Sequence, residues 1–372
     1  MLTHGLPFGG VSTVIKSILE NWNEPVSLFL FVIKRKQREE KIDYPDVIFS
    51  TKTSWLIFPT LFEIKKIILA RNIGLIHCQG YPLVVIYASL LKILWFHDLK
   101  IIYHFHGSLK NIEGNHFLHG FYYDFLLKLF IKYIDLFIVV TKAQRKELEL
   151  KYGNKLRKVV VMYNLLNLKH FAPENKIPSN DAFKDIGLPF VPSKTFIIGF
   201  AARLLPHKGW KDFLDAVCLV KEKYPEMKYL IASDGPDRQN LIRYIEELRL
   251  LNSVFYIGYV EHIINFYSGL DCFVMPSHWE TMGLTQLEAQ ALGIPTICSN
   301  IECVAEVVEN NVNTLLFPVG NSEELAHRME QIYLDKPLRE MLIKNGLENV
   351  KRFSPMLYVE KLNNIYTELL DK

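Results

Sequence analysis

One segment in the second half of the chain decides the fold. Residues 276–288 read PSHWETMGLTQLE. The segment follows the apolar run Cys272–Met275, which is typical of a buried strand, and it continues into a predicted helix over Leu284–Ala291. A glycine at such a strand-to-helix turn lets backbone amides approach a phosphate, and the helix amino terminus adds the positive end of its dipole. The segment therefore predicts a phosphate-binding turn at Gly283 and Leu284.

Two glutamates flank this turn. Glu288 falls about one turn into the predicted helix, where a carboxylate is suited to accept two hydrogen bonds from a ribose diol. Glu280 lies on the loop before the turn, from which it could reach a sugar on the far side of a diphosphate. A glutamate near a helix start also occurs simply as a favourable partner of the helix dipole. On these residues alone, both interpretations stay open.

Short apolar runs alternate with longer amphipathic segments along the whole chain, a pattern that predicts an α/β fold with parallel sheets. A chain of 372 residues is long enough for two domains of middling size. The predicted division is an N-terminal domain over 1–170, a linker with four prolines over 171–194, a C-terminal domain over 195–353, and a last helix over 354–372 that crosses back to the N-terminal domain.

The predicted strands are 26–33, 75–78, 100–104, 136–140 and 158–162 in the first half and 196–201, 228–233, 254–256, 272–275, 295–298 and 314–317 in the second. The start of the chain is unusual, because it reaches Gly9 and Gly10 almost at once. A Rossmann-like half opens with a buried strand that feeds its glycine loop. We therefore expect a very short first strand, or one missing because of a truncated or alternative start.

The composition is that of a folded globular protein, with 49% hydrophobic and 22% charged residues. The five cysteines form no Cys-x-x-Cys pair, which predicts reduced, cytosolic thiols. Residues 1–20 lack the pattern of a signal peptide, and the longest apolar stretch, 82–96, contains Lys92 and is too short to span a membrane. We expect a cytoplasmic protein that is soluble or peripheral to a membrane.

The charge is distributed unevenly, with a net +10 over residues 1–170 and −7 over the remainder. A basic half could face the anionic inner face of a membrane or an anionic lipid-linked acceptor, or it could be an ordinary solvated surface. The aromatic-rich segment Phe117–Tyr133, with Lys128 and Lys132, could likewise lie at a membrane or pack on the sheet. Nucleic acid is not an expected partner, because the basic residues are scattered among apolar ones.

Segment 276–288 resembles the Glu-x7-Glu motif of the retaining glycosyltransferases of family 4 (glycosyl transferases group 1), which have the GT-B fold. Further segments resemble other parts of that family in the same order, and together they cover most of residues 196–320: GFAARL (199–204) with Lys208-Gly209, ASDGP (232–236), FYIGYV (255–260), DCFVMPS (271–277) and AQALGIPT (289–296). The resemblance implies two Rossmann-like domains that face a central cleft.

The resemblance also implies roles for individual residues of the second half. Arg203 and Lys208 would bind the diphosphate of a nucleotide-sugar donor, together with the turn at Gly283 and Leu284. Their position at the carboxyl end of a strand agrees with where open α/β sheets bind ligands, and arginine offers phosphate a bidentate fork. Glu288 would bind the ribose, and Glu280 would be a catalytic residue that orients the donor sugar.

In the first half the resemblance is weaker. HGLPFGGV (4–11) resembles the family's glycine-rich first loop, which implies that Gly9 and Gly10 help to bind the donor. YHFHGS (103–108) resembles its His-x-His segment, which implies that His106 is a second catalytic residue beside the transferred sugar. Rival interpretations are a zinc-binding pair and packed core histidines, the latter suiting His104 better. Lower-ranked candidates are Thr141 and Asn164.

The predicted function is retaining transfer of a hexose-type sugar from a UDP- or GDP-sugar to a saccharide acceptor, lipid-linked, in capsule, exopolysaccharide or lipopolysaccharide biosynthesis. No Asp-x-Asp pair occurs in the sequence, so we expect neither a metal nor another cofactor. The alternatives are a sugar-nucleotide epimerase of the same architecture and a non-catalytic sensor of sugar nucleotides. Residues 300–306 (NIECVAE) lack the family's usual Gly-Gly pair, so the donor sugar stays open, as does the oligomeric state.

Overall fold

A computed structural model describes the protein over residues 1–3, 10–24, 26–32, 47–49, 57–80, 82–107, 124–125, 127–184, 186 and 188–371. The chain divides into two compact units. The first comprises Met1–Leu165 and Phe353–Lys372, and the second comprises Leu166–Arg352.

The first unit is built on a seven-stranded sheet in which every pair of neighbouring strands is parallel. Its strands are β1 (Leu2–Thr3), β2 (Leu30–Val32), β3 (Val47–Phe49), β4 (Leu75–Gln79), β5 (Lys100–Phe105), β6 (Leu136–Val139) and β7 (Val159–Val161). They lie in the order β3-β2-β1-β4-β5-β6-β7, so the sheet's central neighbours are β1, β4 and β5. Parallel strands need crossover connections, and helices supply them.

The helices of the first unit cover both faces of its sheet. They are α1 (Gly10–Asn21), α2 (Ile57–Arg71), α3 (Pro82–Leu94) and α4 (Lys142–Tyr152), and the unit also contains the carboxyl-terminal helix Pro355–Leu370. One apolar core joins α2, α3 and α4 to the sheet, and a second joins α1 and the carboxyl-terminal helix to the opposite face. This arrangement buries both faces, as a parallel sheet requires.

The second unit is built on a six-stranded parallel sheet. Its strands are β8 (Ile197–Arg203), β9 (Lys228–Asp234), β10 (Val254–Gly258), β11 (Cys272–Met275), β12 (Thr296–Ser299) and β13 (Leu315–Phe317). The order β10-β9-β8-β11-β12-β13 reverses its direction at β8. Open α/β sheets bind ligands at the carboxyl ends of the strands beside such a reversal.

Eight helices of four or more residues lie in the described part of the second unit. They are α5 (Ser179–Ala182), α6 (Trp210–Val220), α7 (Arg238–Glu247), α8 (Ile263–Ser268), α9 (Leu284–Ala291), α10 (Glu302–Ala305), α11 (Ser322–Leu334) and α12 (Lys336–Val350), and the helix Pro355–Leu370 of the first unit is α13. A large apolar core packs α6, α7 and α11 against the strands. The α/β fold with two Rossmann-like domains is therefore confirmed.

The structure differs from the prediction of a separate linker over residues 171–194, because this segment belongs to the second unit. The ring of Phe171 contacts that of Tyr267 edge-on, at 6.4 Å between centroids. The backbone amide of Ile177 donates to the Ser268 hydroxyl at 3.2 Å. The segment lacks helical or strand periodicity, but its contacts with Tyr267 and Ser268 of α8 attach it to the second unit.

The first strand is very short, since β1 comprises only Leu2 and Thr3. It nevertheless lies between β2 and β4 in the middle of the sheet, paired with both. This agrees with the expectation of a very short first strand, although two residues are too few to show a period of two and the sequence pattern therefore gave no bounds for it. The same reason applies to β3, which has three residues.

Candidate active site

The candidate site in the second unit lies at the carboxyl edge of its sheet, beside β8. Arg203 is the last residue of β8 and pairs in register with Asp234 on β9. Its side chain is exposed, and within the described ranges of the chain no carboxylate forms an ion pair with it. An exposed guanidinium at this edge is available to an anionic ligand.

Lys208 follows β8 in a tight turn that ends at Gly209. Gly209 has φ +70°, and a Cβ atom built on it would lie 1.8 Å from the carbonyl oxygen of Pro276. Only glycine allows so close an approach between this turn and the loop that follows β11. Gly209 therefore brings Lys208 against the segment that carries Glu280.

Lys208 and Glu280 form a close ion pair, with 2.6 Å between Nζ and Oε1. Both side chains are largely buried, and the Ser277 hydroxyl donates to the same Oε1 at 2.9 Å. Among the described residues, no group donates a hydrogen bond to Oε2 of Glu280. The carboxylate is thus held through Oε1 by two side chains.

Further hydrogen bonds hold the loop around Glu280 at His278 and at the carbonyl oxygen of Glu280 itself. The amide of His278 donates to the carbonyl oxygen of His207 at 2.8 Å, and the His278 ring pairs with Asp212. The Cys303 thiol donates to the carbonyl oxygen of Glu280 at 3.1 Å, and burial raises the pKa of this thiol to about 12. Cys303 lies in segment 300–306, where the sequence departs from the family pattern. A residue of that segment therefore contacts the backbone of Glu280.

The helix α9 begins immediately after this loop. Gly283 precedes it in the left-handed conformation with φ +79°, and no side chain caps the first turn. Because the first backbone N–H groups of a helix have no partner within the helix, this end is suited to an anion such as phosphate. Gly283 and Leu284 lie where the sequence places them, at the turn and at the first helical position.

Glu288 lies on α9, and its Oε2 is 3.0 Å from the hydroxyl of Tyr267. Burial raises the pKa of the Glu288 carboxyl to about 7, while the hydrogen bond from Tyr267 acts in the opposite direction. The group therefore titrates near neutral pH instead of remaining fully ionised there. A perturbed carboxyl of this kind is typical of functional sites.

Two of the predicted donor-binding glycines belong to the first unit. Gly9 lies outside the described residues, and Gly10 is the first residue of α1. The lower-ranked candidates are Thr141, which caps α4 by accepting from the Gln144 amide at 3.3 Å, and Asn164, which is buried. The cap gives Thr141 a structural role.

His106 follows β5 and is buried, with 9% exposure. Its ring stacks on that of His104 at 3.9 Å between centroids, so the two histidines point to the same side, as the strand period predicts. Burial lowers the pKa of His106 to about 3, which keeps the ring neutral. In the part of the chain that the structure describes, no three His, Cys, Asp or Glu side chains are placed to hold a metal ion.

The structure thus brings together Lys208, Glu280 and the start of α9 within the second unit, and it places His106 in the first. Three contributing residues were missed by the sequence analysis: Ser277, Tyr267 and Cys303. Ser277 lies inside the diagnostic segment, three positions before Glu280. The other two act over separations of 21 and 23 residues, for which local spacing gives no signal.

Comparisons with known proteins match both halves of the chain. Residues 185–349 match the family model of glycosyl transferases group 1, and residues 8–170 match that of glycosyltransferase family 4. The capsular polysaccharide biosynthesis glycosyltransferase CapM of Staphylococcus aureus is 29% identical over 178 residues, which are 47% of this chain and 47% of that protein.

A second relative, from Escherichia coli, is the UDP-Gal:alpha-D-GlcNAc-diphosphoundecaprenol alpha-1,3-galactosyltransferase. It is 28% identical over 337 residues, which cover 81% of this chain and 82% of that protein. Among solved structures, Anabaena Alr3699/HepE in complex with UDP and glucose superposes with a TM-score of 0.78 over 98% of this chain and 99% of that one. At 17% sequence identity, this likeness shows the fold.

The two family models together account for most of the chain, and the structural likeness extends over nearly all of it. The chain belongs to the glycosyltransferases of group 1 and family 4, which have the GT-B fold.

Proposed function

We propose that this glycosyltransferase moves a hexose-type sugar from a UDP- or GDP-sugar to a lipid-linked saccharide acceptor, with retention of configuration, in surface polysaccharide biosynthesis. The observation that carries the donor part is the Lys208–Glu280 ion pair between the carboxyl edge of β8 and the uncapped start of α9. The acceptor part draws on the Escherichia coli relative, whose name specifies a UDP-sugar donor and a diphosphoundecaprenol-linked acceptor.

The leaving nucleoside diphosphate carries negative charge that must be stabilised as the glycosidic bond breaks. In this proposal Arg203, Lys208 and the first amides of α9 meet that charge. These groups are held in place before the reaction, so they stabilise the charge with little reorganisation. We expect activity without a divalent cation, and an assay in EDTA checks this.

Glu280 orients and polarises the donor sugar in this proposal. Its Oε1 is held by Lys208 and Ser277, so Oε2 accepts a hydrogen bond from a sugar hydroxyl. Retention then follows a front-face route, in which the acceptor hydroxyl attacks on the side that the diphosphate leaves and gives its proton to a leaving phosphate oxygen. Glu280 is not a nucleophile in this route, and His106 either positions a substrate hydroxyl or stabilises developing charge.

Donor binding tests the first part of the proposal. UDP- and GDP-sugars are screened for thermal stabilisation, which grows with ligand concentration over Kd. Charge-assisted hydrogen bonds contribute about 1.5–3 kcal/mol each, so Arg203→Ala should weaken the preferred donor by about 10- to 150-fold. Arg243→Ala is the control, since Arg243 bonds only Asn240 among the described residues. Equal affinities in wild type and Arg203→Ala would exclude a diphosphate role for Arg203.

The raised pKa of the Glu288 carboxyl leads us to expect that donor binding depends on pH. A ribose diol donates to the ionised carboxylate, whose free-enzyme pKa is raised from its usual value to about 7. Donor affinity is therefore retained above pH 7 and lost as the pH falls through 7, by about tenfold between pH 8 and pH 6. Titration calorimetry with the preferred nucleotide-sugar measures this, and Glu288→Gln should bind weakly with a flat profile. A wild-type affinity that does not change over this range would contradict the assignment.

We also propose that the first unit docks on an anionic membrane. The side chains of Phe58, Phe62 and Leu69 are exposed on α2, and those of Phe125 and Leu129 are exposed in the segment before β6. Both segments join the same core on one face of the sheet. Exposed lysines accompany them: Lys66, Lys128 and Lys132.

Aromatic side chains flanked by lysines suit an interface that is apolar inside and negatively charged at its surface. Of the predicted segment Phe117–Tyr133, residues 117–123 and 126 lie outside the described residues. No helix among the described residues has the length and apolar character needed to cross a bilayer. The proposal is therefore limited to the exposed side chains of α2 and of residues 125–132.

Vesicle co-sedimentation tests this docking. Phosphatidylglycerol-containing vesicles should bind the protein and phosphatidylcholine vesicles should not. The double substitution Phe62→Ser with Phe125→Ser should lower the vesicle-binding constant by about 30-fold, because each aromatic ring buries apolar area worth about 1 kcal/mol. Leu334→Ser, at a similarly exposed position of the second unit, is the control. Absence of binding to either vesicle would remove the proposal.

A further inference from the structure

The first unit contains a buried polar strip on β4 and β5. His77 and Gln79 are alternate residues of β4, and Gln79 pairs in register with His104 on β5. His106 continues the same alternation two positions later. The side chains share the face of the sheet on which α13 packs, since the ring of His77 contacts Tyr366.

These side chains form one continuous chain of hydrogen bonds. The Tyr366 hydroxyl lies 2.6 Å from Nδ1 of His77. Nε2 of His77 lies 3.2 Å from Nε2 of Gln79, and Oε1 of Gln79 lies 2.7 Å from Nε2 of His106. His77, Gln79 and Tyr366 are at most 2% exposed, whereas His106 retains 9%. The chain therefore runs from the carboxyl-terminal helix to the one member that reaches the surface.

The direction of each hydrogen bond follows from the chemistry of its partners. A neutral imidazole carries one N–H, and an amide oxygen only accepts. His106 therefore carries its proton on Nε2 and donates it to Gln79. The Gln79 amide nitrogen donates to Nε2 of His77, so His77 carries its proton on Nδ1 and donates to the Tyr366 oxygen.

Burial keeps all three histidines neutral. It lowers the pKa of His106 to about 3 and the pKa values of His77 and His104 well below their ordinary range. His104 stacks between the other two rings, and neither of its nitrogens has a hydrogen-bond partner among the described residues. The His104 ring is uncharged and makes none of these hydrogen bonds, so it does not determine which nitrogen atoms of His77 and His106 carry the protons.

We propose that Gln79, His77 and Tyr366 are positioning residues that hold His106 as its Nε2–H tautomer, so that Nδ1 accepts a hydrogen bond from a substrate hydroxyl. This inference rests on the proposed function, in which His106 acts on the substrate. It selects the first of the two roles given above, because a neutral ring with a free lone pair accepts a hydrogen bond from a hydroxyl and carries no positive charge with which to stabilise the leaving phosphate. It also explains why an apolar sheet face carries a row of polar side chains.

The tautomer of His106 is measured directly in the full-length protein by ¹⁵N NMR with labelled histidine, and the signal is assigned by its loss in His106→Gln. The expected wild-type spectrum shows a protonated Nε2 and an unprotonated Nδ1. Gln79→Met removes the acceptor and should give a mixed tautomer. A single hydrogen bond contributes about 1 kcal/mol, so kcat should fall about fivefold while the Kd for the donor is unchanged.

Ser89→Ala is the matched control, because it removes a different buried polar atom of the same unit. It should change neither the tautomer nor kcat. A protonated Nδ1 in the wild type would overturn the inference without any variant, and so would an unchanged spectrum in Gln79→Met. If His106→Gln kept wild-type turnover, the proposed role of His106 would fail while the tautomer measurement still stood, so the two failures are distinguishable.

Discussion

Glu280→Gln should lower kcat by about 10²- to 10³-fold, the range observed when one preorganised electrostatic contact to a transition state is removed. The glutamine keeps the size of the side chain but loses its charge, so it neither pairs with Lys208 nor polarises a sugar hydroxyl. The diphosphate contacts of Arg203 and α9 remain, and the Kd for the donor should therefore stay within a few-fold. Steady-state kinetics and calorimetry with the same preferred donor separate the two effects.

Glu246→Gln is the control for this experiment, since Glu246 lies exposed on α7 of the same unit. It should leave both kcat and the donor Kd unchanged. Near-normal turnover in Glu280→Gln, with the donor still bound, would show that Glu280 does not orient the sugar.

Gly209→Ala should unfold the donor site and lower the stability of the second unit by about 2–5 kcal/mol. The left-handed backbone costs an alanine about 1–2 kcal/mol. The new Cβ would also collide with the Pro276 carbonyl oxygen, and overpacking of this kind costs a further 1–3 kcal/mol. The collision separates Lys208 from the loop of Glu280, so donor binding should be lost together with stability.

Gly320→Ala is the control variant, because it carries the cost of the left-handed backbone without a collision. Gly320 has φ +75°, and nothing lies within 4 Å of a Cβ built on it. Thermal denaturation should show a small decrease in Tm for Gly320→Ala with donor binding intact, and a decrease about two to three times as large for Gly209→Ala. Equal decreases in the two variants would mean that the contact between the Lys208 turn and Pro276 contributes nothing.

Much of the second unit can be predicted from local sequence. The helix α9 and the strand β11 begin and end at the predicted residues, because each is bounded by glycine or proline and has a clear apolar pattern. The strand β3 was missed because three residues carry no periodicity, and the very short first strand was expected only from the family's architecture and without bounds. Segment 171–194 was misassigned because its attachment to α8 depends on contacts with residues about 90 positions away.

In the candidate site, too, features set by local sequence could be predicted and features set by contacts distant in sequence could not. Arg203, Lys208, Glu280 and Glu288 could be proposed from short motifs that resemble those of the family, and the structure places them at a strand end, in the turn or loop that follows a strand, and in the first turns of a helix. The raised pKa of Glu288 could not, because it comes from tertiary burial beside Tyr267. The chain of hydrogen bonds that ends at His106 could not be predicted either, since its members lie on β4, just after β5 and on α13, which is nearly 300 residues away from β4.

Product analysis of a complete transfer reaction tests the central claim most directly. The protein is incubated with the preferred nucleotide-sugar and a lipid-linked saccharide, without added metal, and the products are analysed by mass spectrometry and NMR. The account predicts an acceptor that is one hexose heavier, with the anomeric configuration of the donor. An unchanged acceptor together with a free epimerised nucleotide-sugar would contradict it, and an inverted anomeric centre would contradict the retaining route.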